Sequence, residues 1–227
     1  IEYQVPLTSK RVDFILAGAD DRRRETAIIV ELKQWTDVAE TGKDAIVETF
    51  VGGAKREVTH PSYQAWTYAA LIRDFNVEVQ DGRNEIQPCA YLHNCAHPSP
   101  VMSPCYAEHM ARAPLFLRED AEKLSRFLKR YVKYGDTSRT LYRIEHGRLR
   151  PSKSLADHLV SLLNGNREFE MIDDQKVVYE TALQLADRAS DGGASALSEG
   201  GTSVPPFCFV RARNRGTAAS LPPLGAG

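Results

Sequence analysis

Two apolar runs separated by a polar, arginine-rich break constrain this chain most: Arg11-Val-Asp-Phe-Ile-Leu and Ala27-Ile-Ile-Val-Glu-Leu-Lys-Gln-Trp. Their β-branched and aliphatic residues predict adjacent strands, and the intervening Gly18-Ala-Asp-Asp-Arg-Arg-Arg-Glu predicts a charged hairpin turn. Side chains two apart on a strand share a face, so Glu31 and Lys33 are expected to project together while Leu32 points into the core. Asp13 on the neighbouring strand then completes a set of two carboxylates and one amine. For any one of these residues a solvated surface position is the ordinary reading. As a set they end a β-branched run, where a buried carboxylate is costly unless it coordinates or pairs.

Phosphodiester hydrolysis needs such a set. The reaction requires a water made nucleophilic and a charged transition state neutralised, and a divalent metal supplies both. Mg²⁺, or Mn²⁺ in its place, takes one or two carboxylates and keeps several waters. Asp13 and Glu31 are the expected metal ligands, joined by the backbone carbonyl of Leu32. Lys33 is the group expected to orient the attacking water or to stabilise negative charge.

The rest of the chain supplies a scaffold. Residues 3–6, 12–16, 27–32 and 47–51 read as strands, the last closed by Gly52-Gly53. His60-Pro61-Ser62 opens a predicted helix over 62–75 with Ser62 as its cap, and residues 86–93 read as a buried strand. These strands, then a helix and a further strand, make an α/β pattern over residues 1–112. Residues 113–190 are expected to be mainly helical, with helices near 119–133, 154–163 and 174–189. Residues 191–227, rich in Gly, Ala, Ser and Pro, are expected to be disordered.

A net charge of -1 excludes a generally basic nucleic-acid binder but not a local basic groove. No apolar run approaches the ~18 residues of a membrane span, and no secretory pattern opens the chain. Four irregularly spaced cysteines favour a reducing cytoplasm over a disulfide framework. Ile1 in place of Met makes a fragment the expected reading.

Asp13 followed by Glu31-Leu-Lys33 resembles the core of PD-(D/E)xK nucleases. Gln64-Ala-Trp-Thr-Tyr68 resembles the Q-x-x-x-Y motif of the RecB-like branch, which lies on the helix after the catalytic strands. Four apart on one helical face, Gln64 and Tyr68 are thereby implied to contact substrate backbone or to support Lys33. His60 is a further candidate for reaching metal or phosphate, against a packing or capping role. The wording Lys-Arg-Val-Asp-Phe, His-Pro-Ser-Tyr-Gln-Ala-Trp-Thr-Tyr and Pro-Cys-Ala-Tyr-Leu-His-Asn is similar to the N-terminal half of bacterial Schlafen-group-3-like DNA/RNA helicase proteins. The resemblance implies a restriction-endonuclease-like mixed sheet flanked by helices, in two or three layers, followed by a mainly helical linker. It implies Mg²⁺-dependent cleavage of DNA, or of RNA, with a P-loop helicase in cis. The alternative is a non-catalytic nucleic-acid-binding module of a helicase whose motor is absent from this chain.

Two departures accompany the resemblance. The superfamily's further acid or His ahead of the first core strand has no counterpart here, Glu2 being the nearest substitute. Phe169-Glu-Met-Ile-Asp-Asp-Gln175 resembles the adenine-reading segment before a helicase P-loop, yet no G-x-x-x-x-G-K-[ST] follows. No ATPase activity is therefore expected, Gly42-Lys43-Asp44 reads as a turn, and the tail from about residue 194 reads as a truncation or frameshift product.

Other signals are weaker. His93, Cys95, His97, Cys105 and His109 match no zinc-site spacing. Arg22-Arg23-Arg24 reads as a solvated hairpin tip, and Trp35 as a packing residue. Lys123, Arg126, Lys129, Arg130 and Lys133 form a basic helical face that either tracks nucleic acid or is simply solvated.

Overall fold

β1 (Tyr3–Gln4) and β2 (Arg11–Val12) pair as a short antiparallel ribbon, after which the chain leaves the strand path at Asp13. The strand expected over 12–16 is thus split, and its second part becomes β3 (Phe14–Ala19). β3 and β4 (Glu25–Lys33) form the expected hairpin, in register from Phe14↔Val30 to Ala19↔Glu25. Its turn is built on buried Asp20, whose Oδ1 accepts from the backbone N–H groups of Arg22 (2.9 Å) and Arg24 (2.8 Å). This is an aspartate holding its own turn closed. In this computed structural model of the protein, the residues described are 3–5, 8–81, 84–150 and 171–192.

A separate three-stranded antiparallel sheet follows: β5 (Val38–Glu40), β6 (Ile46–Val51) and β7 (Ala54–Thr59). Gly52 and Gly53 take φ of 61° and 84° in the two-residue turn between Val51 and Ala54, the left-handed geometry that a tight hairpin demands. β7 has no counterpart in the sequence reading, because Ala-Lys-Arg-Glu-Val-Thr is mostly exposed and charged. α1 (Pro61–Phe75) and α2 (Val77–Gln80) lead into β8 (Asn84–Leu92), which lies parallel to β4. Pro88 is tolerated in β8 because β9 pairs with that strand only from Ala90 onward.

α3 (Ala107–Arg112) precedes β9 (Leu115–Leu117), α4 (Ala121–Tyr131), β10 (Tyr134–Gly135) and α5 (Thr140–His146). The expected boundary near residue 112 falls inside the sheet. β9 and β10 both lie beyond it, yet they form the two edges of one mixed sheet in the order β10-β3-β4-β8-β9. The last helix, α6 (Asp174–Gly192), runs past the expected end at 189 and into the stretch read as tail. Glu2, the predicted helix over 154–163 and residues 193–227 lie outside the described residues.

Helices cover both faces of the sheet, giving three layers. Ala27 and Ile29 pack with Tyr68, Ala69 and Ile72 of α1 and Ile144 of α5. Ile28 and Val30 pack with Phe116 and with Leu124, Phe127 and Leu128 of α4. Residues 26–31 are consequently all buried, as in the near-continuous apolar strands of sheets covered twice. Strand parity then puts Glu31 on the α1 side, 2% exposed, and Leu32 on the α4 side, 40% exposed. The expectation that Leu32 points into the core is reversed, because the side chains of α4 cover Ile28 and Val30 but not the strand beyond them. Among the described residues no helix is long and apolar enough to cross a membrane.

Gly18 marks where β10 lies against β3. A Cβ there would stand 2.4 Å from the carbonyl oxygen of Tyr134 and 2.6 Å from Cγ1 of Val132. Gly18→Ala is expected to destabilise the protein by about 1–3 kcal/mol through overpacking. Urea unfolding of the variant measures this, and parental stability would show that β10 is not held on that edge.

Candidate functional site

The site forms where the β3–β4 ladder ends. One step beyond the last pair, the register places Asp13 opposite Glu31. Asp13 Oδ2 accepts from the backbone N–H of Leu32 at 2.9 Å, so the carboxylate takes the place of the backbone acceptor that a longer β3 would have offered. The N–H and C=O of a strand residue face the same flank, which turns the Leu32 carbonyl toward Asp13's side of β4 as well.

Glu31 is the electrostatic centre. Its Oε1 lies 2.6 Å from Lys33 Nζ, while its Oε2 is buried with no hydrogen-bond partner. Burial raises the Glu31 pKa to about 7; Lys33 opposes that rise, and the negative charges of Asp13 and Asp173 add to it. The structure therefore brings Asp13, Glu31 and Lys33 together, and one carboxylate oxygen is left without a donor.

α1 stands over this point. Pro61 occupies its first turn, and the N-cap is His60 in place of the expected Ser62. His60 Nδ1 accepts from Ser62 N at 3.2 Å, and Nε2 donates to Val101 O at 2.9 Å. Burial lowers its pKa to about 4, so the ring is neutral. With both nitrogens committed and no exposed surface, His60 anchors the start of α1 and has no atom to offer a metal or a phosphate. Gln64 Nε2 donates to the Tyr68 hydroxyl at 2.9 Å, and that hydroxyl donates to Asp173 Oδ2 at 2.7 Å. Burial and the adjacent Asp173 carboxylate push the phenol well above its usual range, which keeps it a donor.

Asp173 is the residue that sequence reasoning missed. It is buried, has φ of +39°, accepts from Thr59 Oγ1 at 3.4 Å and lies 3.5 Å from Lys10 Nζ. α6 carries it there. Lys176 Nζ pairs with Asp44 at 2.7 Å, and Lys43 Nζ reaches Thr181 at 3.2 Å, so the Gly42-Lys43-Asp44 turn is the seat of this helix. Asp-Asp-Gln at a helix start signals a cap, but nothing local announces a partner in Tyr68. The Gln175 side chain turns back to the backbone N–H of Ile172 at 3.4 Å.

Elsewhere the histidines have separate partners: His97 pairs with Asp120 and His109 with Asp44, each at 2.8 Å. Among the described residues no group of three or more His, Cys, Asp or Glu side chains gathers to hold a metal ion. The donors at the ladder end are Asp13, the unpartnered Glu31 Oε2 and the Leu32 carbonyl. That set fits a hard cation content with two carboxylates and its own waters. Comparison of the chain with protein-family models, curated proteins and solved structures found no match.

Glu31 holds its proton more tightly in the folded than in the unfolded chain. Its stabilising contribution is full below about pH 4.5 and is lost as pH rises through about 7. In EDTA, the stability of Glu31→Gln relative to the parent is expected to increase from pH 5 to pH 8, by up to about 3 kcal/mol. Urea unfolding at the two pH values checks this, and a pH-independent difference would rule out a perturbed Glu31.

Proposed function

We propose that this chain is a Mg²⁺-dependent nuclease domain hydrolysing phosphodiester bonds in DNA, with RNA as a further substrate, on a core of the restriction-endonuclease-like PD-(D/E)xK type. The observation that carries the reading is the buried Glu31 carboxylate, with one oxygen on Lys33 and the other unpartnered beside Asp13. A surface ion pair has no need of burial, and a packing role has no need of an orphan oxygen.

Asp13, Glu31 and the Leu32 carbonyl would hold the ion. When bound, Mg²⁺, or Mn²⁺, supplies Lewis acidity toward the phosphate and acidifies water. Burial keeps bulk water from the Glu31 carboxylate and strengthens its interactions with neighbouring charges. Lys33 is tethered by Glu31 Oε1 and retains further N–H groups to orient the attacking water or meet negative charge on the phosphate. The two helical residues divide the remaining work. Tyr68 is 1% exposed and acts only through Asp173, whereas half-buried Gln64 keeps an amide edge for substrate backbone.

A P-loop helicase domain in the same polypeptide is the proposed partner, and a reducing cytoplasm the proposed setting. ATP turnover is not assigned to this chain, which carries no G-x-x-x-x-G-K-[ST]. The second reading, a non-catalytic nucleic-acid-binding module, is favoured by the closeness of the Lys33–Glu31 pair, in which the two charges answer each other without an ion.

Plasmid nicking in Mg²⁺ or Mn²⁺ tests the proposal. Lys33→Ala should lose roughly 10²–10³-fold in rate while metal binding persists, and Asp13→Ala should lose both. Nicking by either variant at the parental rate would overturn the assignment. Nucleic-acid binding in EDTA with no cleavage by the parent would establish the second reading.

A further inference from the structure

Cations distant in sequence meet on the side of the sheet away from α1. α4 turns its apolar stripe inward, so its other face looks outward. At 100° per residue, Lys123, Arg126, Lys129 and Arg130 fall within about a third of the circumference, and Lys133 follows two residues past the helix end. All five are exposed, and no acid lies between the first and the last. Lys123 is engaged with Asp120 at 2.6 Å, but Arg126, Lys129 and Lys133 make no ion pair among the described residues. In contrast, Lys10, Lys43 and Lys176 are each closed on a carboxylate. In a chain of net charge -1, this is a local concentration.

The β3–β4 hairpin extends the patch. Lys133 N donates to Ala19 O at 2.7 Å, β10 pairs with β3, and the Arg23 guanidinium lies 3.4 Å from the centre of the Tyr134 ring. These interactions hold the hairpin tip, with exposed Arg22, against the C-terminal end of α4. The helix alone is about 16 Å long, a length over which duplex DNA presents roughly ten charges. The outward face supplies charge with no apolar centre. That composition suits binding to phosphates and not to a protein partner, whose interface needs a buried apolar core.

We propose that the outward face of α4, together with the β3–β4 hairpin tip, binds nucleic-acid backbone without sequence preference. The surface lies on the opposite side of the sheet from Glu31 and rests on the nuclease reading only for the class of its ligand. The hairpin tip lies at the Glu25 end of β4, and the site lies at its other end.

The test is fluorescence anisotropy of the full chain with a labelled 30-nucleotide DNA, single-stranded and duplex, in EDTA across a salt series. The triple variant Arg126→Glu/Lys129→Glu/Lys133→Glu should weaken binding at least tenfold at low salt. It should also flatten the slope of log Kd against log salt by roughly two to three, since each phosphate left unneutralised removes about 0.7–0.9 from it. Lys55→Glu/Arg56→Glu on β7 should bind within about twofold of the parent. Thermal melts confirm folding, and Lys129→Gln/Lys133→Gln replaces the triple variant if that one melts early, with the same direction expected. Parental affinity and slope in a folded variant would overturn the proposal. So would binding of polyglutamate as tight as that of DNA, which would make the surface a dock for acidic protein. Because EDTA prevents cleavage, absence of nuclease activity leaves this outcome unaffected.

Discussion

Keeping a carboxylate on a doubly covered strand is expensive; around Glu31 only Lys33 offsets that cost, while two neighbouring acids add to it. Lys33 returns from two residues along the same strand to meet one oxygen. Asp13 ends the antiparallel ladder by accepting from Leu32 N, which fixes a second acid opposite the first. α1 closes the space above, capped by a neutral His60 and tied through Tyr68 to a third acid, Asp173. Remove the burial and the rest loses its reason: an exposed Glu31 would need neither a strand break at Asp13 nor a helix laid across it.

Local pattern carried much of this into the sequence. The hairpin, the helix after His60 and the long strand ending at Leu92 are legible because each owes its form to neighbours in the chain: turn acids, an N-terminal proline, runs of β-branched residues. The trio Asp13, Glu31 and Lys33 is legible for the same reason, since strand alternation and a hairpin suffice to bring it together. The illegible parts are set by distance. β9 and β10 are too short to announce themselves, and their place in the sheet is decided by hydrogen bonds to strands far earlier in the chain. Asp173 meets Tyr68 only because α6 is seated on the β6–β7 hairpin. Leu32 departs from its expected core position because period two says which residues share a face but not which stretch of a face a helix will cover.

The two faces of the sheet are differently equipped. Toward α1 the covering helix carries charge only in its last turn, at Arg73 and Asp74. Toward α4 the covering helix has a strongly divided surface, apolar inward and cationic outward. β4 serves both, delivering odd-numbered side chains to one layer and even-numbered ones to the other. Its C-terminal end therefore belongs to the proposed catalytic centre through Glu31 and to the opposite surface through Leu32.

The dependence on Asp173 has a temporal side. A polypeptide leaves the ribosome N-terminus first, so β4, α1 and β8 can pack while α6 is still unmade. At that stage Tyr68 has no acceptor and Lys10 no counter-charge, leaving the pocket over Glu31 unfinished on one side. Only when the closing helix emerges and settles on Asp44 does the centre reach its final form. A nascent chain thereby adds the third acid, Asp173, to the other two only after the strands and α1 have been synthesised.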